Sequence, residues 1–389
     1  MRIVQVFHNY YPVLGGIERA IQKLGEELIK LGHEVHVVTS IHGAEDRPRE
    51  EELNGISIHR VRSWRVYYPD LTIPRETPRD ILKEADIVHG WSQNSYFTYR
   101  ICREAKKHAK PIVMYFLGVD YLKHHYNPLI RAFGYPYQKW ITRKTVEITD
   151  LVIITNEYEG KLLKERYGID ATVLPHGVDD VYLKLPNMAE HFREKYGIEG
   201  RIIAYIGRIH PTKGLDLLIK AFAEVAKQMP NAILVSAGKG DENYLKKCMK
   251  LAKKLGIKNK IRYLGYVPEE DKIALIDAAD IVVLPTKHAG ESYPLLIDEI
   301  LARGKITIVT DRSKILERRI KYGKNENRNI VVSPSNTVSL AHTITSLLKN
   351  EKLVFAVNRL RNKTQMLSWN NVARGLVELY NQAIRGLTK

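Results

Sequence analysis

The sequence predicts an α/β protein built from two Rossmann-like β/α/β domains facing each other across a cleft. Three observations carry that prediction. The chain has 389 residues, beyond the roughly 250–300 at which a single core stops growing. Short apolar runs of strand length alternate with stretches of helical periodicity, the pattern of a parallel sheet covered on both faces. This alternation occurs twice in succession, in two series of similar size. With 44% hydrophobic and 27% charged residues, 25 Gly and 16 Pro, the composition fits a packed globular protein and not a disordered, collagen-like or low-complexity one.

The first series opens with RIVQVF (2–7), short enough for a buried strand. A Gly-rich turn, PVLGG (12–16), leads into a helix in which Ile17, Ala20, Ile21, Leu24, Leu28 and Leu31 recur at helical spacing. EVHVVTS (34–40), ISIHRV (56–61), DIVHG (86–90), PIVMYF (111–116), LVIITN (151–156) and ATVLPHG (171–177) read as further strands. A stretch near 178–200, with Pro186 and the charged HFREKYGIEG, joins the two series. The second consists of RIIAYIG (201–207), AILVSAG (232–238), IRYLGYV (261–267), IVVLP (281–285), ITIVT (306–310) and NIVVSP (329–334). The domains are accordingly placed at 1–180 and 181–368. In the tail, SWNNVARGLVELYNQAIRGL (368–387), Ser and Asn supply capping chemistry and Val372, Leu376, Leu379 and Ile384 follow near helical spacing, so it is a terminal helix. Ligands of such sheets lie at the carboxyl ends of the strands, hence in the cleft.

Net charge is +17, from 61 basic and 44 acidic residues. Residues 1–185 carry +2 and the remainder +15, a balance that attracts polyanions such as nucleotides and phospholipid surfaces. Much of the excess lies in Lys-rich stretches such as LKKCMKLAKKLGIKNK (245–260), read as a solvated helix face. Nucleic acid is not an expected partner, because no zinc-finger spacing and no placeable helix-turn-helix is present. Two cysteines, Cys102 and Cys248, build neither a disulfide framework nor a thiolate metal site, which makes a reducing compartment the default. No signal peptide and no run of about 18 apolar residues is found, and a cytoplasmic or peripheral protein is expected.

Phosphate is held by backbone N–H groups of Gly-rich turns and helix starts, with Arg or Lys offsetting charge. Three places qualify. Gly15-Gly16 opens the first helix, either to let a ligand approach the backbone or to make a tight turn. In YIGRIHPTKGLDLLIKAF (205–222), Gly207 and Arg208 leave a strand end and Lys213-Gly214 opens a helix, so a planar fork and a point charge could converge on one diphosphate. The third is SAGKGDE (236–242), with Gly238 and Lys239; it has neither the third glycine nor the acidic partner of a nicotinamide site. Glu291 and Glu299 sit eight apart in KHAGESYPLLIDEILARG (287–304). A helix beginning near Pro294 lets both face one pocket, Glu299 accepting from ribose hydroxyls. The alternatives are a helix-terminus charge for Glu291 and an ordinary surface residue for Glu299. Fourteen histidines give no H-E-x-x-H or Cys/His set, and no Asp-x-Asp occurs, so no metal and no separate cofactor is expected.

Taken together, PVLGGIE, LPHGVD (174–179), YIGRIHPTKG, ADIVVLP and the Glu-x7-Glu element ESYPLLIDE followed by ARG resemble the family-four retaining glycosyltransferases of the GT-B fold, from the first strand to the SWNN tail. The resemblance implies an enzyme that takes a sugar from a nucleotide-sugar donor, UDP-, GDP- or ADP-linked, and a C-terminal helix (369–389) that crosses back to the amino-terminal domain. It implies that Arg208 and Lys213 grip the donor diphosphate and neutralise the leaving group. Gly16 would offer its N–H to the same phosphates, Glu299 would hold the ribose, and Glu291 with the N–H groups of Ser292 and Tyr293 would orient the sugar. Backbone near Lys239 and Tyr266 would form the base pocket.

Two departures stand out. Pro294 replaces a Gly and removes an N–H donor. Leu117, before Gly118-Val119-Asp120, stands where relatives often have a His after the strand PIVMYF; Asp120 is the nearby group that would compensate. Acceptors of the family mostly meet the amino-terminal domain, where residues 100–144 hold ten basic residues against two acidic. Tyr121, Tyr126, Phe133, Tyr135, Tyr137 and Trp140 are interleaved with them, a mixture suited to an anionic membrane surface and to a lipid-linked or phosphorylated acceptor. A solvated helix with a packed loop is the alternative there. Rival functions are a GT-B nucleotide-sugar 2-epimerase and a sugar-nucleotide binding protein with degenerate catalysis.

Overall fold

The computed structural model describes residues 1–389 except 14, 67, 126, 289–292, 313–329, 351–366 and 388–389. The chain divides into two compact units. Unit 1 is 1–123, 127–177 and 367–389; unit 2 is 124–126 and 178–366.

Unit 1 runs β1 (Arg2–Val6), α1 (Gly16–Lys30), β2 (Glu34–Ser40), β3 (Glu50–Leu53), β4 (Ile56–Val61), β5 (Ser63–Arg65), β6 (Thr72–Pro74), α2 (Arg79–Glu84), β7 (Ile87–Trp91), α3 (Tyr96–Lys107), β8 (Ile112–Phe116), α4 (Pro128–Val146), β9 (Leu151–Ile154), α5 (Glu157–Tyr167) and β10 (Thr172–Val173). Its main sheet has the order β10-β9-β8-β7-β1-β2-β4-β3, parallel except for β3 against β4. The strands β7 and β8 are buried along their whole length, as covered parallel strands must be. Sequence patterning missed β3, EEEL, because an edge strand of three glutamates has no apolar alternation. It also missed the three-residue hairpin strands β5 and β6.

Unit 2 runs α6 (Asp180–Lys184), α7 (Ala189–Tyr196), β11 (Arg201–Ile206), α8 (Leu215–Gln228), β12 (Ala232–Ala237), α9 (Glu242–Lys254), β13 (Ile261–Gly265), α10 (Glu269–Ala278), β14 (Ile281–Leu284), α11 (Leu295–Ala302), β15 (Thr307–Thr310), β16 (Ile330–Ser333) and a helix over Thr337–Lys349. Its six strands are all parallel, in the order β13-β12-β11-β14-β15-β16. The order reverses between β11 and β14, which makes their carboxyl ends the expected crevice. On α9, Tyr244, Cys248 and Ala252 are buried while Lys246, Lys247, Lys250, Lys253 and Lys254 are exposed, the solvated face read from the sequence.

The last helix, Trp369–Leu387, returns to unit 1 and packs on α1. Val372, Ala373, Leu376 and Tyr380 are buried, each full burial contributing about 1.5–3 kcal/mol for a large apolar side chain. Its start explains the glycine of LPHGVD: a Cβ on Gly177 would lie 2.6 Å from the Trp369 nitrogen. The Tyr380 hydroxyl is hydrogen-bonded to His89 Nδ1 on β7 at 2.7 Å, and burial pushes the His89 pKa down to about 3.

The arginine after the Glu-x7-Glu element is a structural anchor. Arg303 is buried with Asp277 of α10, donating from Nε at 2.8 Å. Its other nitrogens donate to the carbonyls of Tyr182 (2.9 Å), Leu185 (2.8 Å) and Pro186 (2.6 Å). One guanidinium thus ties residues 182–186 to the end of α11.

Candidate functional site

The second and third phosphate-binding candidates of the sequence are one structure in unit 2. Beyond β11 and β12 the two loops pair: Gly207 N–H donates to Ala237 O at 3.0 Å, Ile209 N–H to Lys239 O at 2.9 Å, and Asp241 N–H to Ile209 O at 2.8 Å. Gly238 has φ 134 and a Cβ there would lie 2.0 Å from Gly207 O. Only glycine fits both the conformation and the contact. Lys239 lies 5.7 Å over the ring of Tyr266, which is 65% exposed, so these two expected base-pocket neighbours do come together.

Arg208 is exposed and has no ion pair among the described residues; only its carbonyl is engaged, accepting from the Tyr205 hydroxyl at 2.9 Å. His210 caps the short 3-10 turn Pro211–Lys213 by accepting from Thr212 N–H, and Gly214, at φ 74, turns the chain into α8. Burial lowers the His210 pKa, and the charges of Arg208 and Lys213 lower it further against the pull of Asp241. Arg208 and Lys213 lie on either side of His210 in the one loop between β11 and α8. An anion placed there meets a helix start and two positive charges.

Glu299 is not the surface residue that one reading of the sequence allowed. It is 5% exposed on α11 and Lys272 lies 2.7 Å from its carboxylate. Lys272 in turn stands 5.3 Å over the Tyr182 ring and 3.4 Å from Glu269. Pro294 stands at the N-cap position of α11, one residue before the first turn in which the sequence placed it, and Tyr293 before it is half-buried. Glu291 and Ser292 lie outside the described residues.

In unit 1, Gly15 is the extended N-cap of α1, with φ −146, and a Cβ there would meet the Glu18 carboxylate at 2.3 Å. Gly16 begins the helix exposed, and a Cβ on it would meet nothing within 4 Å. The fold does not require glycine at 16, whereas a ligand approaching the backbone would. Asp120 is 4% exposed and its carboxylate forms an ion pair with Arg166 of α5. Leu117 is held at both backbone atoms by Gln93, whose Oε1 accepts its N–H at 2.9 Å and whose Nε2 donates to its carbonyl at 3.2 Å.

Sequence reasoning missed the side chains that fill this end of the sheet. His8, after β1, is buried with Nδ1 2.9 Å from Ser95 Oγ, and burial followed by the charge of Arg65 lowers its pKa to about 3. Arg65 donates to Asn9 Oδ1 at 2.6 Å and to Thr72 Oγ1 at 3.2 Å. Asp70, near it, keeps some surface exposure, yet desolvation raises its pKa to about 7 against the pull of Arg65. No short motif announces these groups; they come from different strand ends.

The basic and aromatic window maps onto α3, α4 and their surroundings. On α4, Leu129 (70%), Phe133 (78%) and Trp140 (47%) are exposed beside exposed Arg131, Lys139 and Arg143. Trp140 stacks on Tyr96, over whose ring Arg100 lies at 5.8 Å. Tyr137 is instead turned inward to donate to Asn94 O at 2.9 Å, and Tyr126 lies outside the described residues. Among the described residues no helix is long and apolar enough to cross a membrane, and no group of three His, Cys, Asp or Glu could hold a metal ion.

Comparison with known proteins adds the family. Residues 14–182 match the family described as Glycosyltransferase Family 4, and residues 188–365 that described as Glycosyl transferases group 1. An uncharacterized glycosyltransferase of Methanocaldococcus jannaschii is 27% identical over 99% of both chains. A phosphatidyl-myo-inositol mannosyltransferase of Mycolicibacterium smegmatis is 23% identical over 98% of this chain and 93% of its own. Among solved structures, HepE of Anabaena in complex with UDP-glucose superposes with a TM-score of 0.75 at 17% identity, over 98% of this chain and 100% of that one. These matches leave the 2-epimerase alternative without support.

Proposed function

The chain belongs to the family 4 glycosyltransferases of the GT-B fold, and from that premise we propose that it moves a hexose-type sugar from a nucleotide-sugar donor to an acceptor hydroxyl, with retention and without a metal ion. The observation that carries the reading is the paired loop rim of unit 2, where exposed Arg208 and half-buried Lys213 lie on the one loop between the end of β11 and the start of α8. As the bond from the sugar C1 to the diphosphate oxygen breaks, charge accumulates on the diphosphate, and these two cations offset it. The acceptor oxygen bonds to C1 on the face being vacated, and its proton goes to the departing phosphate oxygen.

In unit 1, Gly16 leaves the backbone at the start of α1 open to a ligand. Glu299, steadied by Lys272, accepts from the ribose hydroxyls; Glu291, Ser292 and Tyr293 orient the sugar. Gly207, Gly238, Lys239 and Tyr266 border the base. HepE, of like fold, holds UDP-glucose, which favours a donor of this class. The acceptor is a lipid-linked or phosphorylated molecule, and the exposed Leu129, Phe133 and Trp140 among basic residues seat unit 1 on the anionic inner face of a membrane. One relative is, by its name, a phosphatidyl-myo-inositol mannosyltransferase.

Incubation with UDP-, GDP- and ADP-hexoses tests the reading: one of them is consumed, and slow hydrolysis occurs without acceptor. Binding without any consumption would instead favour the sugar-nucleotide binding protein. Co-sedimentation with phosphatidylglycerol vesicles at low salt, lost in a Phe133→Ser/Trp140→Ser variant, tests the membrane contact.

A further inference from the structure

The turn that carries Lys213 is fastened to the segment that leaves β14. Lys287 N–H donates to Thr212 O at 2.7 Å, Thr286 Oγ1 lies 3.4 Å from the same carbonyl, and Thr310 Oγ1 donates to Thr286 O at 2.6 Å. A Cβ on Gly214 would lie 2.0 Å from Pro285 O, so the two segments touch backbone to backbone. Beyond these contacts, Lys287 Nζ reaches both carboxylate oxygens of Asp216, at 2.8 and 2.6 Å. Asp216 stands in the first turn of α8, and Tyr244 of α9 donates to its Oδ1 at 2.6 Å while accepting its N–H at 3.1 Å. Burial would raise the Asp216 carboxyl, but the bonds from Lys287 and Tyr244 overcome it and hold the group below its ordinary range. In sequence, Lys287 comes four residues before Glu291.

We propose that the Asp216–Lys287 ion pair, braced by Tyr244, is a latch that holds the diphosphate-binding turn after β11 against residues 285–287 after β14 in one fixed arrangement. Both are positioning residues that act on the donor through Lys213. A donor-binding turn left loose would have to be ordered when the donor binds, and fastening it beforehand removes that cost. A half-exposed ion pair adds little to global stability, so its effect belongs in donor affinity and not in melting. The inference rests on the donor-site reading above.

The test is a double-mutant cycle read by donor KM, kcat and melting temperature, after UDP, GDP and ADP and their glucose and mannose conjugates have been screened on the wild type. Asp216→Asn and Lys287→Met should each raise donor KM about tenfold, with kcat at saturating donor changed less than about twofold. The double variant should be no worse than either single, because the second change removes a partner already lost. Tyr244→Phe, which keeps the pair, should cost about two- to threefold, and the swapped pair Asp216→Lys/Lys287→Asp should recover part of the loss. Unchanged KM in the singles, additive effects, or a fall in melting temperature with KM unmoved would overturn the latch. A wild type that binds and consumes none of the nucleotides would overturn the donor-site reading and the latch with it, whereas normal consumption by wild type and variants alike overturns the latch alone.

Discussion

The carboxyl ends of the two sheets are finished in opposite ways. In unit 2 the loops after β11 and β12 pair through main-chain atoms and leave Arg208 exposed on the rim. In unit 1 the equivalent ends are filled by side chains: His8 against Ser95, Gln93 clamping Leu117, Gln138 bridging Asn94 and the Gly118 carbonyl, and Glu159 buried beside Thr155 and Asn156. A backbone-built rim can serve any ligand with a diphosphate, because it reads charge and shape. A side-chain-built one is particular to its chain.

The largest expected effect concerns the rigidity of unit 2. Asp277→Ala leaves the Arg303 guanidinium buried without its carboxylate, a loss of about 3–5 kcal/mol, and urea denaturation followed by hydrogen exchange should show unit 2 unfolding at lower denaturant. A melting curve like the wild type's would mean the anchor is dispensable. Unit 1 should instead be the acid-sensitive half. Its buried His8 and His89 have pKa values near 3 when folded against about 6.5 unfolded. Folded-state values below unfolded ones mean that stability is full above pH 6.5 and declines as pH falls toward 3. Amide exchange at pH 7 and pH 5 should therefore show protection falling around β1 and β7; equal protection at both would contradict the sign. The smallest structural effect is Gly16→Ala. With open space around the added methyl, stability should stay within about 0.5 kcal/mol, while donor turnover drops severalfold; full turnover would mean nothing approaches that backbone.

The same contrast governs what the sequence disclosed. The parallel sheets, the terminal helix and the tight loops after β11 and β12 were legible, because buried strands write continuous apolar runs and closely paired loops write glycines: Gly207, Gly214 and Gly238 each mark a left-handed or crowded position. The polar filling of unit 1 was not, since His8 and Asn9 are far in the chain from Arg65 and Asp70 and meet them only through tertiary packing. Asp120 follows β8 closely, yet its carboxylate pairs with Arg166 of α5, a contact no local pattern announces. Arg303 was visible as part of a motif, but its role depends on carbonyls at 182, 185 and 186, which no local pattern foretells.

The central claim is that Arg208 and Lys213 receive the charge released as the sugar leaves its diphosphate. Single-turnover consumption of the preferred nucleotide sugar by an Arg208→Ala/Lys213→Ala variant, at saturating donor and with an unchanged melting temperature, tests it most directly. The account predicts a rate lower by at least about 10²–10³; a rate within twofold of the wild type would contradict it.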